Sequence, residues 1–457
     1  MAIIPTARQH LAEAHRTLQL ALPVIIGQVG VFGMNFIDTV MAGRLPERDL
    51  ALAGLGTGGA LWSAMLMLVI GSMMAVQPTV AHLDGAGRRI EAGVQTRQGL
   101  YLAAGMCMPF ALVLISSGRI LAAFGVDPQI VPVAEGYLRA MAWGVPAICL
   151  VFLLRFFSEG SGHTRPTMFY GLMGALLNIP LNYVLMFGKL GLPAMGTVGC
   201  GYATAIIIWL QLVMLGLYIR RHRHYRPFKL LRKPEPPDFG VIKDLLKLGL
   251  PIGVTIFVEG SLFVAAALLI ARLGPVPSAA HLVAINFAAL VFMVPLGLAS
   301  AITVRVGNAL GRGDPVAARY VGTIGLAIAV VFASVSASLM FFFPQYIVAL
   351  YTDDPAVTAL AVSLLFYAAI FQLSDGIQIG AAGCLRGYRD TRVPMMYNVV
   401  AYWLVGMTSG YYLTFEVGLG PAGMWIGMIV GLTVAAVLLT SRFASTSHRF
   451  IAVNAVA

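Results

Sequence analysis

Charge is what this chain has least of. Asp, Glu, Lys and Arg make up 11% of its 457 residues, where an ordinary soluble domain carries about 25%. Cysteine is almost as scarce. Cys107, Cys149, Cys200 and Cys384 stand apart in or beside apolar stretches, which excludes a disulfide framework and a metal knuckle. No G-x-x-x-x-G-K-[ST] sequence occurs, so ATP is not the expected energy source. "GLGTGG" (54–59) has the G-x-G-x-x-G spacing, but it lies in an apolar run without a strand, a crossover or a ribose-binding acid, and no dinucleotide site follows. His222 and His224 sit two apart in a basic stretch, where a solvated face is expected rather than a metal site. No convergent His, Cys or Ser constellation suggests an enzyme, and no cofactor is expected.

Hydrophobic residues, in contrast, reach 59%, in runs of about 20 residues, the length that crosses a bilayer as helix. Twelve spans are predicted, near 18–42, 52–80, 99–117, 130–154, 168–188, 196–219, 248–271, 279–304, 320–343, 356–382, 394–415 and 421–441. The expected fold is an all-α polytopic membrane protein. The first span follows a short charged arm without a small-residue cleavage site, so a retained helix is expected rather than a signal peptide.

The net charge of +11 is unevenly placed. With both termini on one side, that side holds 24 Lys and Arg, the other holds Arg44, Arg48, Arg119, Lys189 and Arg272, and Arg139 sits within a span. The positive-inside rule then puts both termini in the cytoplasm of a cell inner membrane. The run "RRHRHYRPFKLLRK" (220–233) fits an anchor on anionic lipid, and nucleic acid is not an expected partner.

That basic stretch divides two halves that echo each other at an offset of about 227 or 228 residues. "ALPVIIG" from Ala21 matches "GLPIGVT" from Gly249, and "GSGHTRP" (160–166) matches "GYRDTRVP" (387–394). The expected organisation is an N-lobe over 1–219, a linker over 220–245 and a C-lobe over 246–457, six spans in each lobe. Because six is even, both halves enter the membrane in the same direction, which suits a transporter built from parallel repeats. Pro23, Pro180 and Pro251, with Pro146 and Pro295, are read as kinks or hinges.

Most of the 19 acidic residues lie in loops, but Asp38, Glu259 and Asp375 lie well inside spans. Each costs about 2.5 to 3.5 kcal/mol at a helix centre unless a cavity, a proton or a cation compensates it. Glu259 lies about 18 Å from Lys247 and Asp375 about 16 Å from Arg386, both measured along the helix from the inner boundary. Their common depth suits a shared cation, Na+ or H+, or else a polar contact between helices. Gln378, one turn from Asp375, offers another oxygen, and Phe371, one turn before it, a ring face for an organic cation. In the other half, Asp38 lies about 9 Å below the outer boundary. "LNIPLNY" puts Asn178 and Asn182 on one face with Pro180 between, and Asn182 falls at the depth of Asp38. That pair suits either a second polar pocket or a packing device. Glu135 and Arg139, four apart, read as an intrahelical pair.

"FIDTVMAG", "NIPLNY", "FVEGSLF" and "FQLSDGIQIGAAGCLRGYRDT" (371–391), in this order, resemble the multidrug and toxic compound extrusion (MATE) family in its NorM-like branch. The resemblance covers essentially the whole chain. It implies two pseudo-symmetric six-helix lobes forming a central cleft, and efflux of cationic amphipathic drugs driven by sodium or proton influx. It assigns cation coupling to Asp38, Asn178, Asn182, Glu259 and Asp375, the last two as a possible Na+ site. Asn35, Asn286, Phe371 and Gln378 become candidates for the substrate cleft, and a monomer is expected. The alternative is a flippase for a lipid-linked precursor from the same broad superfamily.

Overall fold

The computed structural model describes residues 7–232 and 235–456. Helices account for every regular element in the described chain. In chain order they are α1 (Ala7–Ala42), α2 (Arg48–Met74), α3 (Val76–Gly85), α4 (Arg89–Ile115), α5 (Ser117–Ala123), α6 (Ile130–Ala142), α7 (Val145–Gly160), α8 (Arg165–Phe187) and α9 (Gly196–Arg221). A 3-10 helix (Arg223–Phe228) precedes α10 (Phe239–Ala271), α11 (Pro275–Gly311), α12 (Pro315–Phe342), α13 (Pro344–Ala349), α14 (Pro355–Gly387) and α15 (Arg392–Val399). Helix α15 runs on without a break through π-helical turns at Val400–Met407, the single turn α16 (Thr408–Tyr411) and a second π segment at Tyr412–Glu416. The last helix is α17 (Pro421–Val456).

Each of the twelve predicted spans falls on one helix or on consecutive helices, the fourth (130–154) across the break between α6 and α7. Among the described residues, ten helices are long and apolar enough to cross a bilayer, or eleven if α6 and α7 form one span. Those two meet at a 54° bend. Pro146, at the start of α7, has no N–H to continue the α6 ladder, so the break falls there. Pro23, Pro180 and Pro251 instead lie inside continuous helices. Many helices outrun their apolar stretches: α10 begins at Phe239, where hydrophobicity alone suggests 248, and α17 continues far past 441. Backbone hydrogen bonding does not stop at the edge of the hydrocarbon.

By packing, the chain forms two compact units. One comprises residues 26–84 and 88–253, the other 1–25, 85–87 and 254–457. The N-terminal part of α1 therefore packs with helices of the second half, and the N-terminal part of α10 with helices of the first. In the second unit, the Arg305 guanidinium pairs with the Glu13 carboxylate and donates to the Glu13 carbonyl (3.1 Å).

The repeat is visible in backbone detail. In the turn after α7, Ser161, Gly162 and His163 donate to the carbonyls of Phe157, Glu159 and Ser158 (3.0, 2.9 and 3.1 Å). In the turn after α14, Tyr388, Arg389 and Asp390 donate to Cys384, Arg386 and Leu385 (3.1, 2.9 and 3.0 Å). Every donor and acceptor is offset by 227 residues. The second turn residue is left-handed in both, with φ +77° at Gly162 and +59° at Arg389. Glycine takes that conformation freely, whereas a residue with a β-carbon does so at a cost.

Several cations counted above as loop charges are buried. The Arg155 Nε donates to Glu159 Oε1 (2.8 Å), which also accepts from Thr167 Oγ1 (3.0 Å), and Gln77 Nε2 donates to Glu159 Oε2 (2.8 Å). Glu159 is fully buried and Arg155 nearly so. Arg97, 2% exposed, holds the linker: its Nε and Nη2 donate to the Glu235 carboxylate (2.8 and 2.5 Å) and its Nη1 to the Lys229 carbonyl (2.7 Å). Tyr101 Oη donates to the Glu235 carbonyl (2.8 Å). The Arg97 guanidinium thereby draws the Glu235 carboxyl down to about 2 from the usual 4.5.

The linker is not a wholly solvated strap. Tyr225 and Phe228 are buried, and His222 and His224 stack with His163 (ring centroids 4.7 and 5.0 Å) instead of standing free. The aromatic residues of "HRHYRPF" let the 3-10 helix dock. Burial first, then the neighbouring His224, His222 and Arg165, push the His163 imidazole down to about 4, so that ring is neutral at physiological pH. Arg223, Arg226, Lys229 and Arg232 stay exposed, and Lys233 and Pro234 lie outside the described residues.

Two outcomes follow. Glu159→Ala leaves the Arg155 charge buried without its carboxylate and should cost about 3 to 5 kcal/mol in an SDS unfolding titration; Glu159→Gln should cost less. For the linker, Glu235 has a depressed carboxyl pKa in the folded state. Its contribution is present above 4.5 and is lost as pH falls toward about 2. The gap in thermal midpoint between wild type and Glu235→Gln should therefore be full at neutral pH and close over that window.

Candidate functional site

The first unit contains one polar cluster built on three spans. Asp38 comes from α1, Asn178 and Asn182 from α8, and Cys200 from α9. Asn178 Nδ2 and Asn182 Nδ2 both donate to Asp38 Oδ1 (2.9 and 2.6 Å), and Asn182 Nδ2 also lies 3.2 Å from Asn178 Oδ1. The Cys200 thiol donates to the same carboxylate, and Tyr137 of α6 lies within its electrostatic reach. All five side chains are buried, both asparagines completely. The i, i+4 spacing across Pro180 gives the two amides one face, as the sequence suggests. Cys200 and Tyr137 had no signal in the sequence, since a lone cysteine and a lone tyrosine in apolar spans read as core.

The two amide donors would make the burial of an ionised Asp38 tolerable. Asn182 Oδ1 accepts no hydrogen bond. A half-turn of either amide exchanges its NH2 for its oxygen. The same three side chains can therefore present donors to a bare carboxylate or oxygens to a cation.

The second unit holds the other two acids. Asp375 of α14 is 2% exposed, and Glu259 of α10 is half-buried and within its electrostatic reach. Gln378, 1% exposed, donates from Nε2 to the Tyr402 hydroxyl in the first π-helical segment. Asp375 Oδ1 and Gln378 Oε1 accept no hydrogen bond. The sequence places Arg386 at the membrane boundary, yet it is buried at 7% and its charge acts on Glu259. Tyr402 and Arg386 are the residues the sequence reading missed here. Among the described residues no group of three or more His, Cys, Asp and Glu side chains is arranged to hold a metal. A cation at Glu259 and Asp375 would therefore take some of its oxygens from amide, phenol or backbone, which suits the two donorless oxygens.

Of the remaining candidates, Phe371 is 2% exposed and packs edge-to-face between Phe263 and Trp425 (5.9 and 5.8 Å). Its ring face is engaged within the core. Asn286 is half-buried and Asn35 exposed. Glu135 and Arg139 form the expected intrahelical pair at 2.7 Å.

The profile of the MatE family matches this chain twice, over residues 23–184 and 251–412, two segments offset by 228 residues. The chain is 45% identical over 441 residues to the "Probable multidrug resistance protein NorM" of Xanthomonas axonopodis pv. citri, covering 96% of each. It is 43% identical to "Multidrug resistance protein PmpM" of Pseudomonas aeruginosa, covering 96% of this chain and 93% of that one. Its fold matches the crystal structure of the eukaryotic MATE transporter AtDTX14 with a TM-score of 0.85 at 23% identity, over 96% and 98% of the two chains. An outward-facing MATE family transporter of the MOP superfamily gives 0.86 at 19% identity, over 95% and 96%. The molecule is a multi-pass membrane transporter and not an enzyme. It belongs to the MatE family.

Neutral substitution separates a charge kept for function from one kept for stability. Asn182→Ala deprives a buried carboxylate of a donor and should destabilise by about 1 to 3 kcal/mol in an SDS unfolding titration. Asp38→Asn removes the charge itself and should leave the unfolding midpoint unchanged or raise it.

Proposed function

We propose that this protein is a secondary active multidrug efflux transporter, exchanging cationic amphipathic compounds for sodium ions or protons by alternating access. The observation that carries the reading is the pair of donorless buried oxygens, Asp375 Oδ1 and Gln378 Oε1, one helical turn apart and within the field of Glu259. Such oxygens call for a proton or a cation. Asp38 with its two convertible amides supplies a second candidate site in the other unit. The multidrug resistance names of relatives at 40 to 45% identity support the substrate range.

Exchange has an energetic rationale. A tenfold outward gradient of a monovalent drug costs about 1.4 kcal/mol, and the opposing potential adds about 2.3 kcal/mol per 100 mV. One inward monovalent cation cancels the electrical part, and its own gradient supplies the rest. A carboxylate that holds either ion or drug, but not both, couples the two movements.

Two of the hinge prolines, Pro23 and Pro251, fit this mechanism. The chain passes from one compact unit to the other after Ile25 and after Gly253, two residues beyond Pro23 and Pro251. Each proline removes one backbone hydrogen bond from its helix and softens it there. The setting is a cell inner membrane with cytoplasmic termini, the exposed basic side chains of the linker facing anionic lipid, and the protein acting as a monomer without a cofactor.

The test is ethidium efflux from proteoliposomes with sodium and pH gradients imposed separately. Asp38→Asn, Glu259→Gln and Asp375→Asn are each expected to cut ion-driven efflux about tenfold or more, a loss of about 1.4 kcal/mol of coupling. Undiminished efflux in all three variants would overturn the mechanism.

A further inference from the structure

The acid pair of the second unit has different surroundings on its two sides. Helix α10 runs away from the linker and α14 runs back toward that end, so Phe263 and Phe371 lie one turn outward of Glu259 and Asp375. Their rings meet edge to face (5.9 Å), and Trp425, near the outer end of α17, packs against Phe371 in the same way (5.8 Å). Phe263 and Phe371 offer no polar atom. The next polar atoms outward, Trp425 Nε1 and the ring nitrogens of His281, are without hydrogen-bond partners but lie beyond Phe371, with the two rings 5.7 Å apart.

Inward, polar atoms follow one another. Gln378 lies one turn inward of Asp375, and Tyr402 accepts from its Nε2 while its Oε1 has no partner. Four residues before Tyr402, on the same face of that helix and about 6 Å farther in, Asn398 is 0% exposed. Neither its Nδ2 nor its Oδ1 has a hydrogen-bond partner among the described residues. An amide brings two N–H groups and a carbonyl, and burying all of them unpaired is costly. A leucine of nearly the same size would fill the place without that cost, so packing does not account for an asparagine here. Asp375 Oδ1, Gln378 Oε1 and Asn398 Oδ1 are thus three buried oxygens without donors, stepping from the acid pair toward the linker end. The buried Arg386, farther in on α14, adds a positive charge that acts on Glu259 and weakens the hold of that carboxylate on another cation.

We propose that Asn398 receives the coupling cation as it leaves Asp375 and Gln378, so that the second unit releases its ion inward through its own interior, past Tyr402. The inference rests on the cation-coupled reading of Glu259 and Asp375 given above. An amide oxygen is uncharged. It can hold sodium or accept a hydrogen bond from hydronium without trapping either as a carboxylate would. Phe263 and Phe371 provide no such oxygen on the outer side, which gives the exit its direction.

The test compares wild type with Asn398→Leu, Asn398→Ser and Asp375→Asn, each as the full-length protein. Ethidium efflux from proteoliposomes, driven by sodium and pH gradients imposed separately, gives the maximal rate and the half-saturating ion concentration. Thermal midpoints are read in detergent. Asn398→Leu should cut the maximal rate about tenfold. Its half-saturating concentration should stay or fall, and its midpoint should stay or rise, because an unpaired amide gives way to a side chain that needs no partner. Asn398→Ser, which keeps a hydroxyl oxygen, should recover part of the rate. A wild-type rate in Asn398→Leu overturns the proposal. So does a lowered midpoint, which makes Asn398 a packing residue, or a raised half-saturating concentration, which assigns it to binding and not to release. Asp375→Asn separates this proposal from the reading it rests on: if that variant also transports at the wild-type rate, cation coupling through the acid pair falls, whereas a loss confined to Asp375→Asn removes only the role of Asn398.

Discussion

A carboxylate within a bundle of membrane-crossing helices must be met by donors, by a cation or by a proton, and that constraint shapes both polar clusters of this protein. They meet it differently. Asp38 is provided for by side chains of its own unit: two asparagine amides and a thiol converge on it. Asp375 keeps one oxygen without any donor, beside an amide oxygen in the same state, while the counter-charge of Arg386 acts on Glu259. The first cluster supplies its carboxylate with donors and leaves one amide oxygen, Asn182 Oδ1, without one. The second is left incomplete by the protein's own atoms. Buried oxygens left without donors are places where a proton or a cation can be taken up.

Much of this was legible in the sequence, for physical reasons that can be named. Apolar length determines a crossing helix, so the spans emerged even where their ends did not. Intramembrane acids are costly enough to be conspicuous, and the four-residue spacing of Asn178 and Asn182 put both on one face, where Asp38 meets them. What stayed hidden depends on tertiary contact. Tyr402 and Cys200 look like ordinary residues of apolar helices until packing turns them toward a carboxylate. Arg97, Arg155 and Arg386 look like boundary charges, because a count of positive residues cannot tell a solvated arginine from one folded inward onto Glu235, onto Glu159 or toward Glu259. Phe371 illustrates the converse: its position one turn from Asp375 suggests an open ring, but Phe263 and Trp425 already occupy its neighbourhood.

The duplication shows which parts of the plan are fixed and which are free to diverge. The backbone of the turn after the fourth span of each half is held by the same three hydrogen bonds, down to a left-handed second residue. Gly160, Thr164 and Arg165 recur as Gly387, Thr391 and Arg392, but the side chains between them have diverged. One copy packs imidazoles and phenols, rings with little charge when buried, and secures the connection between the halves. The other copy carries guanidiniums, one of which, Arg442, pairs with Asp390 of the turn. A buried acid, Glu159, stands in the first copy where the second has the buried base Arg386.

The π-helical stretch after α15 has a consequence of its own. Widening the helix brings its glycines against α17 so closely that a β-carbon on Gly427 would fall 2.2 Å from the Cα of Gly410. Tyr402, which reaches Gln378 beside Asp375, rides on that same wide stretch. The position of Tyr402 thus depends on a helix contact that only residues without a side chain allow. A bulkier residue at Gly410 or Gly427, far from any charge, would displace that helix and with it the phenol beside Gln378.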